Sequence, residues 1–214
     1  MTGKQPASDR VVVVHGLAAN NGTTWLLSRR LRRQGFNVTQ FGYPSILQTI
    51  EGLAGRFEAS LRRMVEQDSE TPLHLVTHSM GGVLTRVALG EFRPACLGRV
   101  VMLGTPNQGS HAARKLAPVL GRICYPLVQL SDSPDSAIHQ YNIPDDVSIG
   151  IIAASRDRVV DVEATHLSVE SDHFVVPTGH GRMLFRSDVA KQVGHFLRSG
   201  VFVRDANVKS TAAA

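Results

Sequence analysis

The sequence alternates short runs rich in Val and Ile with longer segments of helical periodicity, and this alternation limits the possible folds more than any other feature. The predicted strands are residues 10–15, 36–41, 73–78, 99–104, 147–153 and 173–177. Helical patterns lie between or after them, at residues 23–34, 48–68, 80–90, about 110–121 and 187–199. Strands that alternate with helices form parallel sheets covered on both faces. We therefore predict an α/β fold with a mostly parallel sheet of about six strands.

Length and composition agree with a single domain. The 214 residues are 43% hydrophobic and 19% charged, which is enough apolar content to form one sizeable core. We expect the domain to span residues 10–203, with flexible ends at residues 1–9 and 204–214.

Several features of the sequence favour a cytoplasmic location. The polar N-terminus lacks the apolar run of a secretory signal, and no segment is apolar for long enough to cross a bilayer. Cys96 and Cys124 belong to no Cys-x-x-Cys or Cys/His cluster, so reduced thiols are expected in place of a disulfide framework or a zinc site.

The chain is basic, with a net charge of +5 and a pI near 9.7. Such a charge suits contact with nucleic acid or with an anionic membrane. The basic residues cluster only at Arg29–Arg33, where Leu31 interrupts the run at the spacing of a surface helix and no aromatic residue is interleaved. This pattern favours a solvated helix face. We expect no nucleic-acid partner and, at most, weak contact with an anionic membrane surface.

Three loops that follow predicted strands carry a Ser, an Asp and a His, in that order. Ser79 lies in THSMGG, Asp157 in SRDR and His180 in TGHG. In open parallel sheets, functional side chains collect in the loops after the carboxyl ends of the strands. A serine hydroxyl attacks a carbonyl only with a base within reach and an acid that orients the base. We therefore predict that Ser79 is a nucleophile, His180 its general base and Asp157 the orienting acid.

The segment around Ser79 fits a nucleophile elbow, the sharp turn between a strand and a helix that presents a serine. Thr77 stands where the pattern G-x-S-x-G has its first glycine, so the match departs at one position. A tetrahedral intermediate also needs fixed backbone N–H donors for its oxyanion. The predicted donors are the N–H groups of Met80, directly after the serine, and Leu17, in the glycine-flanked turn HGLAAN.

Two other aspartates compete for the role of the acid, since Asp161 and Asp172 also precede His180. Asp157 is preferred because it directly follows the apolar run VSIGIIAAS, where a strand should end. A surface aspartate in a turn between two arginines is the structural alternative.

The other histidines have structural explanations. His166 and His173 precede His180 at intervals of seven residues, but the intervening Pro and Gly exclude the helix that would align them as metal ligands. His15 is expected to organise its own loop, and His195 to pack within the last helix. Strand alternation predicts that His78 points away from Ser79. We expect neither a metal nor a cofactor, and neither G-x-G-x-x-G nor a P-loop is present.

Residues 105–146 form the longest stretch without a clear strand. Its apolar part, LAPVLGRICYPLVQL at residues 116–130, suits either a cap over the site or a helix packed on the sheet. We favour core packing with part of the face exposed, which leaves a small lid or none.

Four motifs, VVVVHGLAAN, THSMGG, LGTPNQGS and HGRMLFRSDVAKQVGHFL, together resemble the α/β-hydrolase superfamily. Within it they are similar to the compact lipase and esterase branch that includes GPI inositol-deacylase-like serine hydrolases. The resemblance extends from about residue 10 to residue 203, with the motifs in the family order.

The resemblance implies the α/β-hydrolase fold, an esterase or lipase activity on carboxylic esters and no cofactor. It also implies a triad of Ser79, Asp157 and His180, with Leu17 and Met80 as oxyanion donors. The substrate would be a small ester or a lipid. Two alternatives stay open: the same triad would serve thioesters or amides, and a binding or scaffold protein would keep the fold without turnover.

Overall fold

The computed structural model describes residues 8–204, so most of the two ends predicted to be flexible lies outside the described residues. One sheet of six strands forms the centre of the molecule, in the order β2-β1-β3-β4-β5-β6. Every pair of neighbouring strands is parallel. The strands are β1 (Arg10–Val14), β2 (Asn37–Phe41), β3 (Leu73–His78), β4 (Leu97–Leu103), β5 (Ile149–Ala154) and β6 (Asp172–Val176). The predicted parallel sheet is confirmed, with each strand within two residues of its expected limits.

Helices cover both faces of this sheet. They are α1 (Asn21–Arg33), α2 (Ile50–Gln67), α3 (Met80–Glu91), α4 (His111–Leu120), α5 (Pro126–Gln129) and α6 (Ser187–Ser199). Three short 3-10 turns span Ala137–Gln140, Glu163–Thr165 and Gly181–Phe185. No helix among residues 8–204 has both the length and the apolar character that a membrane crossing requires.

Strand β1 shows why the strands are continuous apolar runs. Val12 and Val14 belong to the core on one face, together with Phe57 of α2. Val11 and Val13 belong to the core on the other face, which includes residues of α1 and α6. Successive residues of a strand point to opposite faces, so a strand covered on both sides needs apolar residues at every position.

Residues 105–146 lie beside the sheet and pack on it only in part. Cys124 and Leu127 are buried, whereas Val119 and Ile123 are 79% and 62% exposed. The expected core packing with a partly exposed face is therefore found, with more apolar surface left in solvent than a core helix has.

A buried arginine fixes this segment to α3. The guanidinium of Arg86 donates hydrogen bonds to the backbone carbonyls of Asn107, Ile138 and Tyr141. Burial lowers the pKa of Arg86 to about 10, so the side chain stays charged at neutral pH and its charge is balanced by carbonyl dipoles. The sequence pattern did not indicate this role.

Candidate active site

Ser79 lies in a strained turn between β3 and α3. Its backbone has φ 54° and ψ −128°, a region that favours glycine. Only one other non-glycine residue within 8–204 has a positive φ, and it is Ala18, next to Leu17 in the loop after β1. Strain of this kind costs roughly 1–3 kcal/mol per residue and is concentrated at functional sites. Both strained residues thus belong to segments that the sequence predicts to form the site.

Backbone hydrogen bonds and two glycines hold the turn. The Ser79 N–H donates to the Leu103 carbonyl at 2.9 Å, and the Ser79 carbonyl accepts from the Gly82 N–H at 3.0 Å. A Cβ atom on Gly81 would lie 2.6 Å from the His15 carbonyl oxygen, and one on Gly82 would lie 2.1 Å from Oγ1 of Thr105. Only glycine permits these approaches, so α3 begins directly against the loops after β1 and β4.

Thr77 is a departure from the G-x-S-x-G pattern without consequence for the turn. It is buried within β3, in register with Val14 of β1 and Met102 of β4. The unusual residue therefore belongs to the sheet core, and the positive φ falls on Ser79 alone.

Asp157 and His180 form a direct hydrogen bond. Nδ1 of His180 lies 2.6 Å from Oδ2 of Asp157, whose side chain is 2% exposed. The second oxygen of Asp157 accepts the N–H groups of Val159 and Val160 at 2.8 and 3.1 Å. Burial alone would raise the pKa of Asp157, but these hydrogen bonds and the nearby imidazole hold it below its usual value.

The ionised carboxylate determines the tautomer of His180. A carboxylate only accepts hydrogen bonds, so Nδ1 carries the proton in this pair. Nε2 is then the lone-pair nitrogen and is able to accept a proton. His180 therefore has the protonation pattern of an oriented general base.

The two loops that carry Asp157 and His180 are joined by their backbones. The N–H of Arg156 donates to the carbonyl of Thr178 at 3.0 Å. Gly104, at φ 54°, borders the imidazole so closely that a Cβ atom on it would lie 3.2 Å from Nδ1 of His180. Gly104, the glycine of the sequence motif LGTPNQGS that follows β4, thus packs directly against the His180 ring.

A cavity of about 530 Å³ brings Ser79, His180 and Leu17 to one surface. Ser79 and His180 both line it, and Gly16 and Leu17 line it from the loop after β1. A Cβ atom on Gly16 would lie 2.9 Å from Cβ of Ser79. Met80 is fully buried behind the serine, with its N–H at the start of α3, where backbone donors lack helical partners. The arrangement suits a reaction at Ser79 in which charge develops near these N–H groups.

His78 is the site residue that strand alternation misplaced. Its ring lies 4.8 Å from the His180 ring, centroid to centroid, and on the wall of the same cavity. Nε2 of His78 lies 3.3 Å from the His180 carbonyl, while Nδ1 has no hydrogen-bond partner among the described residues. Burial lowers its pKa to about 3, helped by the neighbouring His180, so the ring is neutral. The strand ends at His78, and the expected turn away from Ser79 is wrong because the elbow begins there.

The competing aspartates contact other groups. Asp161 is 3.2 Å from Nδ1 of His111, and its side chain is 68% exposed. Asp172 accepts the N–H of Phe202 and pairs with Arg204. Neither is a hydrogen-bond partner of His180 among the described residues.

The other histidines have structural partners. His173 is 2.9 Å from Oγ1 of Thr165 and stacks on His166 at 3.9 Å. His195 lies in α6, 2.8 Å from the carbonyl of Val201. Among the residues that the structure describes, no group of three His, Cys, Asp or Glu side chains is placed to hold a metal ion.

His15 organises the loop after β1. Its ring stacks on Tyr43 at 4.2 Å, and the Tyr43 hydroxyl donates to the His15 carbonyl at 2.6 Å. Nδ1 of His15 lies 2.9 Å from the Gly16 carbonyl, and burial lowers its pKa. A neutral His15 thus fixes the backbone that leads to Leu17.

The sequence matches no protein-family model and no curated protein sequence. Solved structures do resemble the fold. The mature lipase BlEst2 from Bacillus licheniformis superposes with a TM-score of 0.69 at 16% identity, covering 94% of this chain and 95% of the lipase. YbtT, a type II thioesterase of the yersiniabactin pathway, gives a TM-score of 0.64 at 15% identity over 94% and 97% of the two chains.

The phospholipase PlaB from Legionella pneumophila is a longer protein. Its complex with thio-NAD gives a TM-score of 0.64 at 19% identity and covers 74% of this chain. The match takes in 44% of the phospholipase, so this chain corresponds to less than half of that relative. At such identities the likeness concerns the fold, and the predicted architecture is confirmed. The chain has the α/β-hydrolase fold.

Proposed function

We propose that the protein is a serine hydrolase that cleaves carboxylic esters through an acyl-enzyme on Ser79. The observation that carries this proposal is the 2.6 Å contact between His180 and Asp157, in a cavity that His180 shares with a serine at positive φ. The lipase BlEst2 and the phospholipase PlaB among the structural neighbours support it. Sequence motifs further favour the compact lipase and esterase branch that includes GPI inositol-deacylase-like hydrolases.

In the acylation step, Nε2 of His180 takes the proton from Oγ of Ser79 as Oγ bonds to the carbonyl carbon. Negative charge then develops on the carbonyl oxygen, and the N–H groups of Leu17 and Met80 stabilise it. Asp157 keeps the imidazole oriented and stabilises its positive charge. His180 gives the proton to the leaving oxygen as the carbon–oxygen bond breaks.

Deacylation repeats these steps with water in place of the Ser79 hydroxyl. His180 removes a proton from water, the resulting oxygen bonds to the acyl carbon, and the Ser79 oxygen leaves with the proton that His180 returns. A thioester or an amide would follow the same steps with sulfur or nitrogen as the leaving atom. A cytoplasmic location is part of the proposal, because Cys96 and Cys124 both have free thiols.

The first test is hydrolysis of p-nitrophenyl esters from acetyl to palmitoyl by the wild type, by Ser79→Ala and by Ser187→Ala. Ser187 is exposed at the start of α6 and serves as the matched control. Loss of the nucleophile should lower kcat by several orders of magnitude, leaving residual catalysis from the oxyanion donors. Equal rates for the wild type and Ser79→Ala would show that the proposed site is wrong.

A fluorophosphonate probe separates an enzyme from a scaffold that has kept only the fold. The probe reacts with a serine whose hydroxyl is activated by a base. We expect labelling of the wild type at Ser79, and none of Ser79→Ala. A wild-type protein that is neither labelled nor active on esters, thioesters or amides would favour the scaffold alternative.

A further inference from the structure

Three exposed arginines line the cavity that holds Ser79. Arg156 and Arg158 flank Asp157, and Arg182 follows His180 by two residues. Within residues 8–204, none of the three guanidinium groups forms an ion pair or a side-chain hydrogen bond. The proposed acid and base therefore each lie beside an uncompensated positive charge.

The same arginines also line a neighbouring recess of about 790 Å³. Arg186 lines it as well, but its guanidinium is bonded to Asp188. The carboxylate of Asp157, which lies between Arg156 and Arg158 in sequence, is 2% exposed and is directed to His180 and to backbone N–H groups. The charge that this surface presents to a ligand is thus positive. Guanidinium groups have the planar, forked geometry that binds two phosphate oxygens at once.

The mechanism determines which part of a substrate meets these arginines. His180 must donate its proton to the leaving alcohol or thiol, so the leaving group lies on the His180 side of Ser79. Arg182 and the pair around Asp157 are on that side because they belong to the loops that carry the base and the acid. Next to the loop after β1, which carries Leu17, lies an apolar recess of about 310 Å³ that suits an acyl chain. Its lining residues include Ala18, Ala19, Pro44, Ile46 and Leu47.

Resting on the proposed function, we infer that the substrate is an ester or thioester whose leaving alcohol or thiol carries a phosphate group. Arg156, Arg158 and Arg182 recognise the phosphate, and the acyl part occupies the apolar side. Acyl transfer is the reaction already described: the bond from Ser79 Oγ to the acyl carbon forms, the bond to the leaving oxygen or sulfur breaks, and His180 delivers the proton to it. The phosphate takes no covalent part and serves recognition.

Two pairs of soluble substrates test this inference, each matched except for phosphate. One pair is dibutyrylglycerol and dibutyrylglycerol 3-phosphate, and the other is S-butyryl-pantetheine and S-butyryl-4′-phosphopantetheine. All are used below the concentration at which they aggregate, so no lipid surface is present. The readout is the ratio of kcat/KM for the phosphorylated member to that for the neutral member, at low and at high salt.

The variants are Arg156→Gln, Arg158→Gln, Arg182→Gln and the triple variant. Arg63→Gln is the control, because Arg63 is an exposed arginine near the end of α2. The next residue, Met64, accepts a hydrogen bond from Arg10 at the amino end of β1, whereas the cavity lies at the carboxyl ends of the strands. We expect the wild type to prefer a phosphorylated substrate by at least about tenfold at low salt. The ratio should fall at least about tenfold in the triple variant, fall with added salt and stay unchanged in Arg63→Gln.

A preference within the glycerol pair alone would support a lipid headgroup as the source of the phosphate, and one within the thioester pair alone would support an acyl-phosphopantetheine thioester. A preference in both would support recognition of phosphate itself. A ratio near one in both pairs, or a ratio that the triple variant leaves unchanged, would overturn the inference. If neutral esters are still cleaved in that case, the proposed hydrolase function stands, whereas a wild type that hydrolyses no ester or thioester would overturn both.

Discussion

Gly16 lies so close to Ser79 that a Cβ atom on Gly16 would be 2.9 Å from Cβ of the serine. The contact joins the loop after β1 to the turn after β3, and it fixes the distance between the Leu17 N–H and the proposed nucleophile. Any side chain at position 16 has to move one of the two segments, because real Cβ contacts are longer than this.

We therefore expect Gly16→Ala to lower kcat/KM by about 10²-fold, since a displacement of about 1 Å in a catalytic arrangement has an effect of this size. The matched control is Gly55→Ala in α2, where a Cβ atom would meet nothing within 4 Å. That variant should keep full activity and gain about 0.5–1 kcal/mol in the free energy of unfolding. An active Gly16→Ala protein would contradict the proposed place of Leu17 in the site.

Asp157→Asn should lower kcat by about three to four orders of magnitude while the protein stays folded. An amide in place of the carboxylate no longer holds Nδ1 of His180 as the donor, and it no longer stabilises the imidazolium. Asp161→Asn is the control, since the Asp161 side chain is exposed and pairs with His111. Ester hydrolysis by both variants, with circular dichroism to verify folding, would show which aspartate serves His180. A larger loss in Asp161→Asn would reverse our assignment.

Ser79→Gly should be more stable than Ser79→Ala by about 1 kcal/mol, although both lack the nucleophile. Alanine keeps the cost of a side chain at φ 54°, whereas glycine adopts this conformation without that strain. The gain is reduced by the larger conformational entropy of glycine in the unfolded chain. Urea unfolding of the two variants measures the difference, and equal midpoints with equal slopes would mean that the turn is relaxed.

The pH dependence of stability should carry a contribution from His78. Its pKa is about 3 in the folded protein and about 6.5 when unfolded. As pH falls below about 6.5, the unfolded chain binds a proton that native His78 does not accept until about pH 3. The free energy of unfolding then decreases by about 1.4 kcal/mol per pH unit for this proton. Stability from this source is thus complete above about pH 6.5.

Urea unfolding at several pH values between 4 and 7, for the wild type and His78→Gln, tests this contribution. The variant should show a shallower decrease of the free energy of unfolding with falling pH. His15, His74 and His173 also have lowered pKa values through burial, so part of the slope should remain. Parallel curves for the two proteins would show that His78 is accessible to protons.

The sequence could predict the strands and site residues that are marked by their immediate neighbours in the chain. The Val-rich runs identify β1 and β3, and the glycines after Ser79 identify the turn that only small residues allow. His180 is recognisable because it lies between glycines after a strand. The chemical roles of these residues stay predictions, although the structure places Asp157 and His180 in contact.

Other features depend on contacts between distant parts of the chain. Arg86 looks like a surface residue of a helix until the carbonyls of Ile138 and Tyr141 are seen around its guanidinium. The packing of His78 on His180 joins residues 102 positions apart, and strand alternation does not extend into the elbow. Arg156 and Arg158 are likewise distant from Arg182 in the sequence. The pairing of β5 with β6 brings the loops that carry them together.

The proposed catalytic residues follow strands that differ in their position in the sheet. Ser79 follows β3 near the middle of the sheet, whereas His180 follows β6, which among residues 8–204 has a strand neighbour on one side only. Edge strands open locally at a lower free energy than central ones. Activity should therefore depend on an edge of the sheet, because heating would displace His180, the proposed base, while most of the core remains folded.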